Sequence, residues 1–462
     1  MRRLSRPGAS FMLLLITGGL AVCGAVFAGE QTSPSDAAFV SWAREHAIAL
    51  SADDTGRRSP LSESQDAKAL KSLVGAARVV ALGESAHGTH EPLAFRNRLF
   101  KDLVEKFGFT AIALESGLCE SRRIYDFVRG GPGEATQVAR EGFTWGFGDF
   151  EENAELIRWI RSYNAEPAHR RKVNLYGIDL SGGQDAELVT PRASLDAVLQ
   201  YFERVAPDVA QTAHQVIDSV AAQFTSQAYR QLSFERQQAL HSAIEEWGAL
   251  FLQRREAFIA ASSQSEYDWA SRCAVMSARV EQALRAWPVD NPLQGVSPEL
   301  YKVVDIRDGA MAENVQWVLQ QEAAAGRVLL FAHNAHIMND VSRGGIWQIY
   351  RQAPVAMGQH LRSALGPTMV IIGMSSASTG AGLPIMKLTP DGLDESLAKV
   401  GMPRFMVDLR RANDRAVNAW LDAPHPLSVG FVTEHIVAPR QAFDAFVYFR
   451  KLTPARKAVA VR

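Results

Sequence analysis

The stretch Gly83-Glu84-Ser85-Ala86-His87-Gly88-Thr89-His90-Glu91 gathers two histidines, three glutamate or threonine acceptors and two glycines into nine residues. Such a stretch is poor core material and good material for moving protons. Imidazole titrates near neutrality, and a neighbouring carboxylate can orient it as a general base. Glu84, three residues before His87, is the candidate orienter. A second group, Phe331-Ala332-His333-Asn334-Ala335-His336, carries two histidines three residues apart, which share one face if a helical turn begins there. Glu115 closes the run Ala113-Leu114-Glu115. It can pair with Arg96, hold a water, or simply cap the next helix. Arg96 falls on the same helical stripe as Phe100, Leu103, Val104 and Phe107. A guanidinium on a core-facing stripe is costly unless carboxylates pair with it, or unless its stem snorkels to water. Its place beside His87 argues for function. Asp179, Trp145 and Phe147 complete the set as substrate-binding candidates, although core packing is the better explanation for either aromatic taken alone.

Three chemistries can use these parts. A serine nucleophile needs a GxSxG elbow, and Gly83-Glu84-Ser85-Ala86-His87 has His where the final Gly belongs. A metal site can recruit His87, His333, His336 and a glutamate, but there is no HExxH and no standard ligand spacing. The third, and the one the residues favour, is water activated by His87, with Arg96 and a second histidine stabilising the oxyanion.

The elements that must position these residues alternate. Short apolar runs over Val79–Leu82, Thr110–Leu114, Val173–Ile178 and Val328–Ala332 end at Gly83, Glu115, Asp179 and His333. Further runs are Met369–Ile372, Phe405–Val407 and Val429–Val432. Continuous apolar runs suit strands covered on both faces. Helical periods lie between them, over Pro92–Phe107 and Glu151–Tyr163, and another covers Ala37–Leu50. The expected fold is α/β, a largely parallel sheet flanked by helices, with ligands at the carboxyl ends of the strands. Residues 186–298 interrupt the rhythm with helical periods only (Leu195–Val205, Val209–Phe224, Phe234–Ala261, Tyr267–Trp287). They are expected to form an inserted all-helical subdomain. It divides the core into residues 66–185 and 299–462, preceded by a lead-in segment over 29–65.

The first 28 residues have an arginine-rich start, an uncharged apolar run from Phe11 to Val26, and Val26-Phe27-Ala28 before Gly29, the grammar of a cleaved secretory signal. Periplasmic or secreted localisation is expected, with no membrane attachment after cleavage. Of 462 residues, 49 are basic and 50 acidic, and removing the three signal arginines leaves 46 against 50, a net −4. No basic stripe suggests nucleic acid. Cys119 and Cys273, which remain in the mature chain, can pair in an oxidising compartment or stay buried as small apolar residues.

Taken together, Gly83-Glu84-Ser85-Ala86-His87 with Arg96 nine residues on, Leu114-Glu115, and Ala332-His333-Asn334-Ala335-His336 resemble the erythromycin esterase family. Tyr176-Gly177-Ile178-Asp179, Met311-Ala312-Glu313-Asn314 and Met357-Gly358 match more loosely. The resemblance spans roughly residues 70–450. It implies hydrolysis of a macrolide lactone without metal or cofactor, His87 as the base, and Glu84, Arg96, Glu115, His333 and His336 as the other active-site positions. The export signal departs from the cytoplasmic resistance esterases, and the helical insertion carries no motif that matches. The expected activity is therefore hydrolysis of a small-molecule ester or lactone. A metal-dependent hydrolase using the same His/Glu cluster and a non-catalytic binder of a macrocycle or glycan are the alternatives.

Overall fold

The computed structural model describes residues 36–50, 65–182, 192–218, 226–286, 300–349, 353–430 and 433–459. The segment expected to be a signal, most of the expected lead-in and both ends assigned to the insertion lie outside the described residues. The strands are β1 (Ile48–Ala49), β2 (Val79–Glu84), β3 (Ala111–Gly117), β4 (Asn174–Asp179), β5 (Val328–His333), β6 (Met369–Ser376), β7 (Arg404–Asp408), β8 (His425–Val429), β9 (Thr433–Val437) and β10 (Ala445–Phe449). Eight form one sheet in the order β1-β7-β10-β6-β2-β5-β3-β4, while β8 and β9 pair separately. From β10 to β4 every neighbouring pair is parallel; β7 runs antiparallel to β10, and β1 antiparallel to β7. The fold is α/β, with a mostly parallel sheet.

Each apolar run that ends in a chemically capable residue is a fully buried strand. Side chains alternate along a strand, so each run feeds two cores. Val79, Ala81, Ala111, Ala113, Val328 and Leu330 join one, and Val80, Leu82, Ile112, Leu114, Leu329 and Phe331 the other. The described residues between 192 and 286 are helical or connecting, and their buried side chains, Leu195 and Phe202 among them, belong to the first core. The insertion therefore shares the core of the sheet. Cys119 and Cys273 are disulfide-bonded across 154 residues, tying its helix Gln264–Ala286 to the helix that follows β3.

Two expectations are corrected. The helix over Ala37–Leu50 stops at His46, because Ala47 turns to extended backbone and Ile48–Ala49 pairs with β7. The run Val429–Val432 is not one strand. Val429 ends β8, Gly430 has a left-handed φ of 69°, and the chain returns antiparallel as β9, with 431–432 outside the described residues. The alternating burial of β8 hides a strand from a search for continuous apolar runs. β10 carries such a run, Ala445-Phe446-Val447-Tyr448-Phe449, and escapes because no helix follows to mark it as part of the alternation. No described helix is long and apolar enough to cross a membrane.

Candidate active site

The order β2-β5-β3-β4 places four strand ends side by side. β5 enters between β2 and β3, and the chain then crosses to β6 on the other side of β2, so the sheet changes winding direction at β2–β5. Ligands in open α/β sheets bind at such points, outside the carboxyl ends. Glu84 and His333 are direct partners in register there. Glu115 lies in β3 where the pairing with β4 shifts register between Leu114 and Gly117, and Asp179 ends β4. Close approach is built in. A Cβ on Gly83 would meet Asn334 Oδ1 at 2.0 Å, and that carboxamide ties the turn after β5 to β6 through both the nitrogen and the carbonyl of Met374.

His87 has one nitrogen committed and one open. Nδ1–H donates to Glu84 Oε1 at 2.5 Å, leaving the Nε2 lone pair 3.9 Å from Glu115 Oε1. The side chain is 36% exposed, whereas the Glu84 and Glu115 side chains are 4% and 5% exposed. Burial opposes charging His87, but Glu115 and Glu84 outweigh it and raise its pKa above the usual 6.5. Such a ring is a base that is oriented from one side and open on the other.

Glu115 does not pair with Arg96. Its partner is Arg307, a residue that no sequence motif singles out. From the helix Leu300–Gln321, Arg307 Nη2 donates to Glu115 Oε1 at 2.8 Å and to Asp179 Oδ2 at 2.6 Å. Its Nε also donates to Asp179, and its Nη1 stands 3.1 Å from His336 Nε2. His336 Nδ1–H donates to Asp308 Oδ1 at 2.7 Å, and its Nε2 is 3.3 Å from Glu115 Oε1. Burial disfavours charge on His336, but Asp308 and Glu115 prevail and push its pKa up to about 10. Burial pushes Glu115 the other way, yet His336, His87 and Arg307 hold it well below the usual carboxylate range. Among the described residues, no group of three or more His, Cys, Asp or Glu converges as a metal-binding set. The cation between Glu115 and Asp179 is Arg307.

The other candidates take different places. His333 caps the short helix Asn334–Ile337. Its Nδ1 accepts from the Ala335 nitrogen, its Nε2–H donates to the Ser85 carbonyl at 3.1 Å, and its backbone N–H donates to Glu115 Oε2 at 2.8 Å. Burial and His87 keep it neutral. His333 thus steadies the His87 loop and Glu115, while His336, on the same turn, faces the charges. Arg96 is buried as the helical stripe required, 1% exposed, but its hydrogen bonds go to two carboxamides, Asn97 Oδ1 and Asn153 Oδ1, and its face covers Phe331. Burial lowers its pKa to about 10, against the attraction of Glu84 and Glu152. Asp179 is fully buried. Both oxygens accept from Arg307, and Trp145 Nε1 and the Leu180 nitrogen donate to it as well. It acts on the site through Arg307 rather than as a cleft wall. Trp145 adopts a left-handed φ of 60° and lays its ring beneath the Arg307 guanidinium. Phe147 packs 5.4 Å from the His87 ring, between centroids.

A cavity of about 20 Å³, room for one water, opens among Glu84, Arg96, Leu114, Glu115, Phe147 and Phe331. The C-terminal segment fixes the His87 loop over it. The Ala455 nitrogen donates to the Gly88 carbonyl and the His90 nitrogen to the Thr453 carbonyl, while Glu91 accepts from Thr453. The arrangement offers an oriented base, a second imidazole disposed to hold a proton, and two guanidinium groups beside the strand ends, Arg96 buried and Arg307 partly exposed.

These shifts make stability depend on pH in a defined direction. His336 has a folded pKa near 10 against an ordinary 6.5, so its contribution is complete below pH 6.5, declines above it, and is gone beyond about 10. Glu115, shifted down, contributes above its ordinary value of 4.5 and loses that contribution as pH falls through its folded value. Melting curves are expected to show Tm falling between pH 7 and 10, and falling less in His336→Gln. An identical alkaline decline in the variant would contradict the assignment.

This geometry can be set beside known proteins. The chain is 26% identical over 341 residues to erythromycin esterase type II of Escherichia coli, covering 69% of this chain and 74% of that protein. Its fold is similar to that of a Bacillus cereus protein (TM-score 0.75, 24% identity, 92% of this chain and 100% of that one). It is also similar to an erythromycin esterase mutant, EreC, in its open conformation (TM-score 0.66, 18% identity, 87% and 98%). The family model described as erythromycin esterase matches residues 104–452, from the last turn of the Arg96 helix to beyond β10 and across Glu115, Arg307 and the histidine pair. The chain belongs to the erythromycin esterase family.

Proposed function

We propose that this hydrolase is exported and cleaves a carboxylic ester or macrolactone by direct attack of water activated by His87. The observation that carries the reading is the division of labour at His87, with Nδ1 held by Glu84 at 2.5 Å and Nε2 left open toward Glu115. A water hydrogen-bonded to Nε2 loses its proton to His87 as its oxygen adds to the ester carbonyl. The charge that develops on the carbonyl oxygen is met by the Arg96 guanidinium and by protonated His336. Glu84 and Glu115 stabilise the imidazolium that forms. The Phe147 side of the cleft supplies an apolar surface for the acyl group. Export rests on the N-terminal segment, and the Cys119–Cys273 disulfide suits an oxidising compartment. The substrate is a small molecule, and neither nucleic acid nor a resident cofactor enters the scheme.

The test is mass-spectrometric turnover by the purified mature chain of erythromycin, simpler lactones and alkyl esters, with and without a chelator. Addition of one water, insensitive to chelator, is the expected result. Turnover of simple esters alone would keep the chemistry and discard the macrolide. Loss of turnover on chelation, restored by a divalent ion, would replace this mechanism with a metal-dependent one, and binding without product would make the chain a binder.

A further inference from the structure

Helix Leu300–Gln321 delivers two consecutive side chains to opposite sides of His336. Asp308, 1% exposed, takes Nδ1–H on Oδ1, while its Oδ2 accepts from the Met357 nitrogen at 3.0 Å, at the start of helix Met357–Leu365. That helix can press against the His336 turn because residue 358 is glycine. A Cβ there would stand 1.9 Å from the Ile337 carbonyl oxygen. Arg307 approaches Nε2 from the other side while it holds Glu115 and Asp179.

We propose that Asp308 and Arg307 are positioning residues that make His336 the proton donor to the departing alkoxide in the hydrolysis proposed above, a role that rests on that reading. Asp308 fixes the ring with Nε2 turned toward Glu115, one wall of the cavity, and favours the charged form. While protonated, Nε2–H lies toward Glu115 Oε1. Once the proton has gone, the Nε2 lone pair can accept from Arg307 Nη1, already 3.1 Å away. Arg307 thus stabilises the neutral ring that proton donation leaves behind. In the forward direction a water oxygen bonds to the carbonyl carbon and its proton passes to His87 Nε2. The bond from that carbon to the alkoxide oxygen then breaks, and the oxygen takes the proton from His336 Nε2. The proton on His87 returns to His336 by way of Glu115 Oε1, which faces both rings at 3.9 and 3.3 Å. The products are one acid and one alcohol, and both imidazoles are restored. The charged and titratable groups acting on His336 are Asp308 and Arg307 from the helix, Glu115 from β3, His87 and His333 from the neighbouring strand ends, and His435 from β9. Asp308 is the nearest acid that is not itself part of the His87 grouping.

The experiment compares two esters of the same acid. An alkyl ester needs a proton on its leaving oxygen, whereas a p-nitrophenyl ester departs without one. In Asp308→Asn, kcat for the alkyl ester is expected to fall about 10²-fold and for the nitrophenyl ester less than about 3-fold, the size of one general-acid contribution. KM should hold, and the alkaline limb of the alkyl-ester profile should move to lower pH. Should that variant fold poorly, Asp308→Glu, which keeps the charge and shifts its position, is expected to show the same leaving-group split at smaller size. Equal losses on both esters in a folded variant, or no loss on the alkyl ester, would overturn the proposal. Wild-type silence on both esters would instead count against the hydrolytic reading itself.

Discussion

Replacing His87 by asparagine is expected to reduce kcat by about 10²–10⁴-fold, the range for loss of a general base, while the protein remains folded. Asparagine is chosen over alanine for a physical reason. Glu84 is 3% exposed, its Oε2 has no hydrogen-bond partner among the described residues, and Oε1 depends on His87 Nδ1. Deleting that donor strands a buried carboxylate, at a cost of roughly 1–3 kcal/mol, and would confuse loss of the base with loss of stability. In His87→Asn the new side-chain amide nitrogen can occupy the Nδ1 position and keep Glu84 satisfied, while nothing replaces Nε2. Unchanged melting with lost turnover is the predicted pair of results. Retained turnover would remove His87 from the mechanism.

The second large effect is expected at Arg307. Among the described residues, Arg307→Met takes from Asp179, which is fully buried, the cation that it pairs with, and from Glu115 one of its cations. Breaking a buried pair from one side costs about 3–5 kcal/mol, because the desolvated charge that remains is uncompensated. Here two carboxylates are left, so the upper part of that range is expected in urea denaturation monitored by far-UV circular dichroism. Activity should fall as well, since Glu115 would no longer be held between His87 and His336. A loss below about 1 kcal/mol would mean that water readily replaces the guanidinium and that the site is far wetter than its burial implies.

Much of this site could be read from the chain because strand ends announce themselves. An apolar run that stops abruptly at Gly83-Glu84, Glu115, Asp179 or His333 marks a polar group at the rim of a buried sheet, and these four strands are adjacent in the structure. Arg96 was legible by its place on an apolar helical stripe. The same argument, applied to the helix Leu300–Gln321, would have found Arg307. Val303, Arg307, Met311 and Asn314 recur at intervals of three and four, and of these Val303, Met311 and Asn314 are buried. The mixed polarity of that stripe makes it look like a surface helix. What could not be read is pairing between distant segments. Whether Glu115 meets Arg96 or Arg307 depends on which face of the sheet its side chain takes, and the register shift after Leu114 decides that locally. Nor does spacing distinguish His333 from His336. One ends β5 and the other lies on the turn that follows, but the first caps that turn with its own ring while the second faces Asp308.

The most direct test of the central claim is the pH dependence of kcat/KM for an ester that the wild type hydrolyses, measured alongside Glu84→Gln. His87 must be neutral to accept a proton, and Glu115 and Glu84 both raise its pKa. The wild-type profile should therefore fall on the acid side with an apparent pKa above 6.5, and Glu84→Gln should move that limb to lower pH while reducing the plateau. An acid limb that stays in place when the Glu84 charge is removed would contradict the assignment of His87, oriented by Glu84, as the base that activates water.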